Sequence, residues 1–129
     1  LYGDSYLQVN FKNVYSKFKK CNKLALMTII KNKNNWDKSN IIYKNNNIIR
    51  YDKLNLNDNM EYIDYGLTIM TKKIFNKYKK NFEFDLSTVL SNLVLQNQLE
   101  NYVTKKRFYE IGSIKGLNET RKYLNVEKK

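Results

Sequence analysis

Two carboxylates draw attention because each sits beside a glycine at what reads as the end of a strand. They are Asp4 in Gly3-Asp4-Ser5 and Glu110 in Tyr109-Glu110-Ile111-Gly112-Ser113. Ligands of open α/β sheets gather at the carboxyl ends of strands. Mg²⁺ is a hard ion that takes one or two protein carboxylates and fills its octahedron with phosphate oxygens and water, so a pair far apart in sequence is enough to hold it. Both residues also have ordinary explanations, Asp4 as a turn residue and Glu110 as a solvated or cap-pairing side chain, and spacing alone does not choose between the two. Other chemistries are excluded by composition. The chain has no histidine, and its single cysteine, Cys21, lies in the polar run Lys19-Lys20-Cys21-Asn22. Zinc sites, Cys/His or Ser/His catalysis and an intrachain disulfide are therefore out.

The elements that must position these carboxylates follow from hydrophobic periodicity. Leu1 to Leu7 suits a buried strand ending in a loop. Phe11, Val14, Tyr15 and Phe18 recur at helical spacing and predict an amphipathic helix over 10–20, capped by Asn10. The continuous apolar run Leu24 to Ile30 predicts a central strand buried on both faces. A polar loop from Lys31 to Asn40 holds the only tryptophan, Trp36. Ile41-Ile42-Tyr43 and Ile48-Ile49-Arg50-Tyr51 flank Asn45-Asn46-Asn47 and predict a β-hairpin, since Asn tolerates the positive φ of tight turns. Tyr62 to Met70 reads as a strand interrupted by Gly66, a point where a ligand or another backbone comes close. Helices are expected over 71–79 and, capped by Asp85, over 86–99. Alternation over 101–109 predicts a strand, and Ser113 can cap a last helix through Leu117 and Leu124. The fold class is α/β, with a mixed sheet because the hairpin must be antiparallel.

The chain has 129 residues, enough for one domain or part of one, and no internal repeat or linker is evident. No apolar run approaches the 18 or so residues that cross a bilayer, so no membrane partner is expected and a cytoplasmic location is the default. Lys and Arg total 24 against 12 Asp and Glu, a net charge of +12. The excess is nearly all Lys, spread among Asn, Ile and Tyr, with only Arg50, Arg107 and Arg121 supplying guanidinium forks. It reads as a solvated basic surface rather than a nucleic-acid footprint, with some attraction for an anionic small molecule.

The order of the segments resembles the sugar-phosphate nucleotidyltransferase family, in its second half. Leu1-Tyr2-Gly3-Asp4-Ser5-Tyr6-Leu7 resembles the family's strand ending in a metal-binding Gly-Asp pair. Arg50-Tyr51-Asp52-Lys53-Leu54 falls where the family has a hairpin with a Glu-Lys-Pro motif, and Ile63-Asp64-Tyr65-Gly66-Leu67 resembles its Asn-x-Gly strand. Phe108-Tyr109-Glu110-Ile111-Gly112-Ser113 resembles the closing aromatic-x-Asp-x-Gly-Thr signature. The departures are Asp52 for Glu, Leu54 for Pro and Glu110 for Asp. The flavour is similar to the subgroup that transfers guanylyl groups to mannose-1-phosphate or heptose-1-phosphate.

The resemblance implies a Rossmann-like, GT-A-like nucleotide-diphospho-sugar transferase fold of which residues 1–129 are the C-terminal, metal- and sugar-phosphate-binding part. The N-terminal part, with its Gly-rich phosphate loop, is missing, so this polypeptide alone is not expected to turn over. It also implies the reaction, attack of a sugar-1-phosphate on the α-phosphorus of a nucleoside triphosphate with release of pyrophosphate, and Mg²⁺ as cofactor. Asp4 and Glu110 would be the metal ligands, Lys53 would bind the sugar phosphate, and Asp52, Asp64 and Gly66 would line the sugar pocket, with Trp36 or Asn40 closing over it. A homo-oligomer is compatible with this. Three competing readings remain: a basic nucleic-acid or polyanion-binding module, a metal-dependent glycosyltransferase, and an inactive regulatory homologue. The second expects an Asp-x-Asp motif, which Asp4-Ser5-Tyr6 lacks.

Overall fold

A computed structural model describes residues 1–77 and 83–127. Eleven apolar positions from strands, hairpin and helix form the largest buried cluster. The seven-residue strand β2 (Ala25–Lys31) runs through the sheet interior, with its first six residues buried. The full strand order is β4-β3-β5-β2-β6, where β3 is Ile41–Lys44, β4 Asn47–Tyr51, β5 Tyr62–Met70 and β6 Leu99–Thr104. β6 pairs with β2 in parallel and the other pairings are antiparallel, so the α/β mixed sheet is observed.

The sheet is covered on both faces, which is why β2 reads as unbroken apolar sequence. Its side chains alternate between clusters. Ala25, Met27 and Ile29 pack with Val89, Leu90 and Leu93 of helix α2 (Leu86–Leu95), while Leu26 packs with Val14 of helix α1 (Phe11–Lys20). Both helices are capped as expected: the Asn10 side chain accepts from Asn13 N–H at 3.1 Å and that of Asp85 from Ser87 N–H at 2.8 Å. The hairpin turns on Asn45 and Asn46, with φ of 50° and 60°.

Four boundaries differ from the sequence expectation. Only Ser5–Tyr6 of the first segment is a strand (β1), and Leu1 is 70% exposed, because the available partner is the two-residue strand β7 (Tyr109–Glu110). The expected helix over 71–79 is a 3₁₀ helix, Lys72–Lys77, that anchors the buried Ile74; Tyr78 and Lys79 lie outside the described residues. Helix α2 stops at Leu95 rather than 99. Asn97 takes a left-handed φ of 53°, Gln98 N–H reaches back to Leu93 C=O at 2.7 Å and Asn97 N–H to Val94 C=O at 2.9 Å, the paired bonds that satisfy a helix C-terminus. The strand expected over 101–109 is therefore split into β6 and β7 by a loop at 105–108. Last comes helix α3 (Ile114–Glu127).

A bulge in β5 matters for the cleft described below. Between the pairs Met27↔Thr68 and Ile29↔Asp64, Thr28 alone faces three residues of β5, with Gly66 at φ 97° in their middle. The Thr28 hydroxyl ties the bulge down by donating to Leu67 C=O at 2.8 Å. Asp64 keeps its place in the ladder opposite Ile29, and the bulge beside it brings Gly66 N–H within 2.9 Å of its carboxylate.

The packing of α1 onto β2 is testable. Leu26 is fully buried against Val14. Leu26→Ala is expected to cost about 2–5 kcal/mol, the range for deleting a buried leucine, read as a drop in the urea midpoint at unchanged m-value.

Candidate functional site

The β1–β7 ladder places the two expected carboxylates side by side. Ser5 pairs with Glu110 in register, and Ile111 N–H donates to Asp4 C=O at 3.0 Å. Gly112 marks where they converge: a Cβ there would stand 2.7 Å from Asp4 Oδ2 and 3.4 Å from Glu110 Oε2. Both carboxylates thus face one point of space that a side chain would fill.

Glu110 also holds the N-terminus of α3. Its Oε2 accepts from Ser113 N–H at 2.9 Å and its Oε1 from the Ser113 hydroxyl at 2.6 Å, while Ser113 Oγ accepts from Gly116 N–H at 2.9 Å. These bonds, led by the Ser113 side chain, hold the Glu110 carboxyl below its ordinary range. A Cβ at Gly116 would overlap the Glu110 carboxylate, so the glycine makes room for it. The cap-pairing and metal-ligand explanations are compatible, because two received bonds leave lone pairs on the carboxylate. Asp4 is freer, with the Ser5 hydroxyl on its Oδ1 at 3.2 Å.

A second group lies across the cleft. Asp64, 7% exposed, takes Gly66 N–H on Oδ1 at 2.9 Å and the Tyr2 hydroxyl on Oδ2 at 2.7 Å. Its own N–H donates to the side chain of buried Asn40 at 3.2 Å. Lys53 Nζ donates to the Tyr2 oxygen at 2.9 Å and lies 5.1 Å from the centre of that ring. Burial first, and the Asp64 charge second, push the Tyr2 hydroxyl well above the usual phenol range, so it stays a neutral donor.

The far wall is aromatic. Trp36 meets Phe108 edge-on at 6.0 Å and carries the Arg107 guanidinium 5.4 Å from its centre. The other ring near Arg107 is Tyr109, at 4.7 Å, and its Nη2 pairs with Glu119. Trp36 also packs against the buried cluster of Ile30, Ile63 and Tyr65.

These residues line one cleft of about 710 Å³ that includes Asp4, Trp36, Asn40, Lys53, Asp64 and Glu110. Two expected members do not line it. Asp52 points away: its carboxylate takes Arg50 Nη2 at 2.9 Å and the N–H groups of Leu54 and Asn55, each at 2.9 Å. Arg50 first, and these amides next, hold it far below the carboxylate range, and its work is to close the turn after the hairpin. Gly66 is covered by Tyr2, whose N–H donates to Gly66 C=O at 3.0 Å and whose ring would lie 3.1 Å from a Cβ at Gly66. Sequence reasoning missed Tyr2 and Glu119. An aromatic directly before Gly3-Asp4 was the available signal for Tyr2; Glu119 lies on α3 with no motif around it.

The cleft mixes the carboxylates of Asp4, Asp64 and Glu110 with the cations of Lys53, Arg107 and Lys115. Among the described residues no cluster of three or more Asp, Glu, Cys or His forms a protein-only metal cage. Two hard oxygen donors beside cations suit an ion that completes its shell from an anionic ligand, which is the habit of Mg²⁺. Among the described residues no helix is long and apolar enough to cross a membrane.

The double bonding of Glu110 gives a stability prediction with a defined sign. A carboxyl with a lowered folded pKa stabilises fully above its ordinary value of 4.5 and loses that contribution as pH falls through the folded value. Glu110→Ala is expected to cost about 0.5–1 kcal/mol at pH 7, as for a lost helix cap, and the gap to the parent should shrink by pH 3. Urea titrations of both proteins at the two pH values measure it.

No family model matches the sequence, and no curated protein does. Solved structures do match in fold. A putative glucose-1-phosphate thymidylyltransferase from Bacillus anthracis, crystallised in complex with a sucrose, superposes with a TM-score of 0.81 at 12% identity over 94% of this chain and 51% of that one. The inositol-1-phosphate CTP transferase from T. maritima gives 0.67 at 21% identity over 92% of this chain and 50% of that one. The chain spans about half the length of these neighbours. It shares the fold of the matched part of these two nucleotidyltransferase structures.

Proposed function

We propose that this chain is the metal- and sugar-phosphate-binding half of a sugar-phosphate nucleotidyltransferase, an enzyme that joins a nucleoside triphosphate to a sugar-1-phosphate and releases pyrophosphate. The observation that carries the reading is the convergence of Asp4 and Glu110 over Gly112, inside a cleft on this fold. The fold neighbours favour it, since both are named as transferases acting on a phosphorylated sugar or inositol.

Asp4 and Glu110 are the proposed ligands of one Mg²⁺, which when bound offsets the repulsion between two phosphates brought together. Lys53 is the proposed cation for the sugar phosphate, a compact charge that keeps N–H donors to spare after meeting Tyr2. Asp64, fixed by Gly66 and Tyr2, and Asn40 beside it offer polar atoms to sugar hydroxyls, with Trp36 as an apolar wall. The contribution of these groups is positioning and charge neutralisation, the main needs of phosphoryl and nucleotidyl transfer. Asp52 and Gly66, which do not line the cleft, serve it indirectly: one shapes the turn that carries Lys53, the other anchors Asp64 and Tyr2.

Turnover is to be sought in the protein that carries this chain, given each nucleoside triphosphate, a panel of sugar-1-phosphates and Mg²⁺. Pyrophosphate release with one pair supports the reading, and silence from every pair would sink it. The metal half is testable on the 129 residues directly. Titration with Mn²⁺, followed by water proton relaxation, is expected to show one site that weakens at least about tenfold in Asp4→Asn. Gly112→Ala should weaken it too, because its methyl would stand 2.7 Å from Asp4 Oδ2. Equal Mn²⁺ binding by parent and Asp4→Asn would remove the metal site.

A further inference from the structure

Lys53 has a nearby carboxylate that would cancel its charge, and the structure keeps the two apart. Among the described residues no ion pair within 4.0 Å joins Lys53 to Asp64. What lies between them is the Tyr2 hydroxyl, which donates to Asp64 at 2.7 Å and accepts from Lys53 at 2.9 Å. The phenol is fixed in that position from three sides. Its backbone N–H is bonded to Gly66 C=O, its ring lies over the bare face of Gly66, and Lys53 leans on the ring. Asp64 is held by Gly66 N–H and by the bond from its own N–H to Asn40. Asp85, whose carboxyl feels the Lys53 charge, is committed to the N-terminus of α2 through Ser87 N–H.

We infer that Tyr2 is a positioning residue: its neutral hydroxyl separates Lys53 from Asp64 and so keeps the ammonium free for an anionic ligand in the cleft. A hydroxyl suits this place because it can donate to a carboxylate and accept from an ammonium at once. With the oxygen removed, buried Asp64 loses a partner, and the flexible four-carbon stem of Lys53 lets the ammonium move onto it. The cleft would then present a neutral pair in place of a free cation. The inference rests on the proposed role of Lys53 as the phosphate cation.

The test uses the whole 129-residue chain and inorganic phosphate as probe, with affinity read by calorimetry or by chemical shifts, and thermal melts run on every variant. Tyr2→Phe keeps the ring and its packing, and is expected to weaken phosphate binding about threefold to tenfold, the scale of one exposed charge contact. Adding Asp64→Asn to Tyr2→Phe should restore most of the lost affinity, because the competing charge is gone; a packing role for Tyr2 would not be rescued this way. Where the double variant melts too low to use, a crystal structure of Tyr2→Phe decides, with Lys53 Nζ expected within about 4 Å of an Asp64 oxygen. Parental phosphate affinity in Tyr2→Phe, or Lys53 unmoved in its structure, would overturn the inference. Lys53→Met separates the two levels of the argument. If it binds phosphate like the parent, the role of Lys53 itself fails and Tyr2 with it; if it loses phosphate while Tyr2→Phe does not, only the positioning role fails.

Discussion

Two short strands carry a large share of the site's geometry. β1 and β7 pair over two residues each, and that pairing alone brings Asp4 beside Glu110 across more than a hundred positions of sequence. A two-residue ladder is marginal by itself, so its stability must come from what packs on it. Helix α3 supplies that. The Thr120 hydroxyl donates to Glu110 C=O at 3.0 Å, Tyr123 stacks on Tyr109 at 4.3 Å, and Tyr123 O–H reaches Gln8 at 2.9 Å. Gln8 in turn donates to Arg107 C=O at 3.2 Å, stitching the segment after β1 to the segment before β7. The carboxylate pair is thus held by a helix whose own N-terminus one of the carboxylates caps.

The sheet side of the cleft depends on a different constraint, the bulge at Gly66. Three residues of β5 against one of β2 bring Gly66 N–H onto the Asp64 carboxylate, and the positive φ at Gly66 leaves a face without a Cβ for Tyr2 to cover. Tyr2 is then close enough to meet both Asp64 and Lys53. Gly66 does not line the cleft, and it shapes the cleft by geometry through its bonds to Asp64 and Tyr2.

Much of this architecture was legible because it is driven by burial. β2 is apolar throughout since both sheet faces are covered, α1 shows its stripe since one side faces Leu26, and the Asn pair of the hairpin announces its positive φ. The misread boundaries have local causes that periodicity does not register. Leu99 continues the apolar spacing of α2, yet with Asn97 in a left-handed conformation the helix ends at Leu95, four residues short of it. Leu1 is apolar and exposed, so hydrophobicity overstated the first strand. Among the candidate site residues, Asp52 and Asp64 look alike in sequence, each beside a tyrosine; only the turn bonds of one and the bonds of the other to Gly66 and Tyr2 tell them apart. Tyr2 was hidden for a related reason: its role lies in contacts to residues 51 and 62 positions away.

Glu110 has a structural counterpart six residues later, at Gly116. A longer carboxylate side chain must find room between Asp4 and the start of α3, and it takes that room from Gly116, where any Cβ would collide with it. Glycine inside a helix costs up to about 1 kcal/mol relative to alanine. The cost is offset where it arises, because the space lets Glu110 receive both the amide and the hydroxyl of Ser113 and so satisfy the first turn of the same helix. Glu110 and Gly116 are therefore one device, and shortening the side chain without refilling position 116 would leave a gap beside the carboxylate pair.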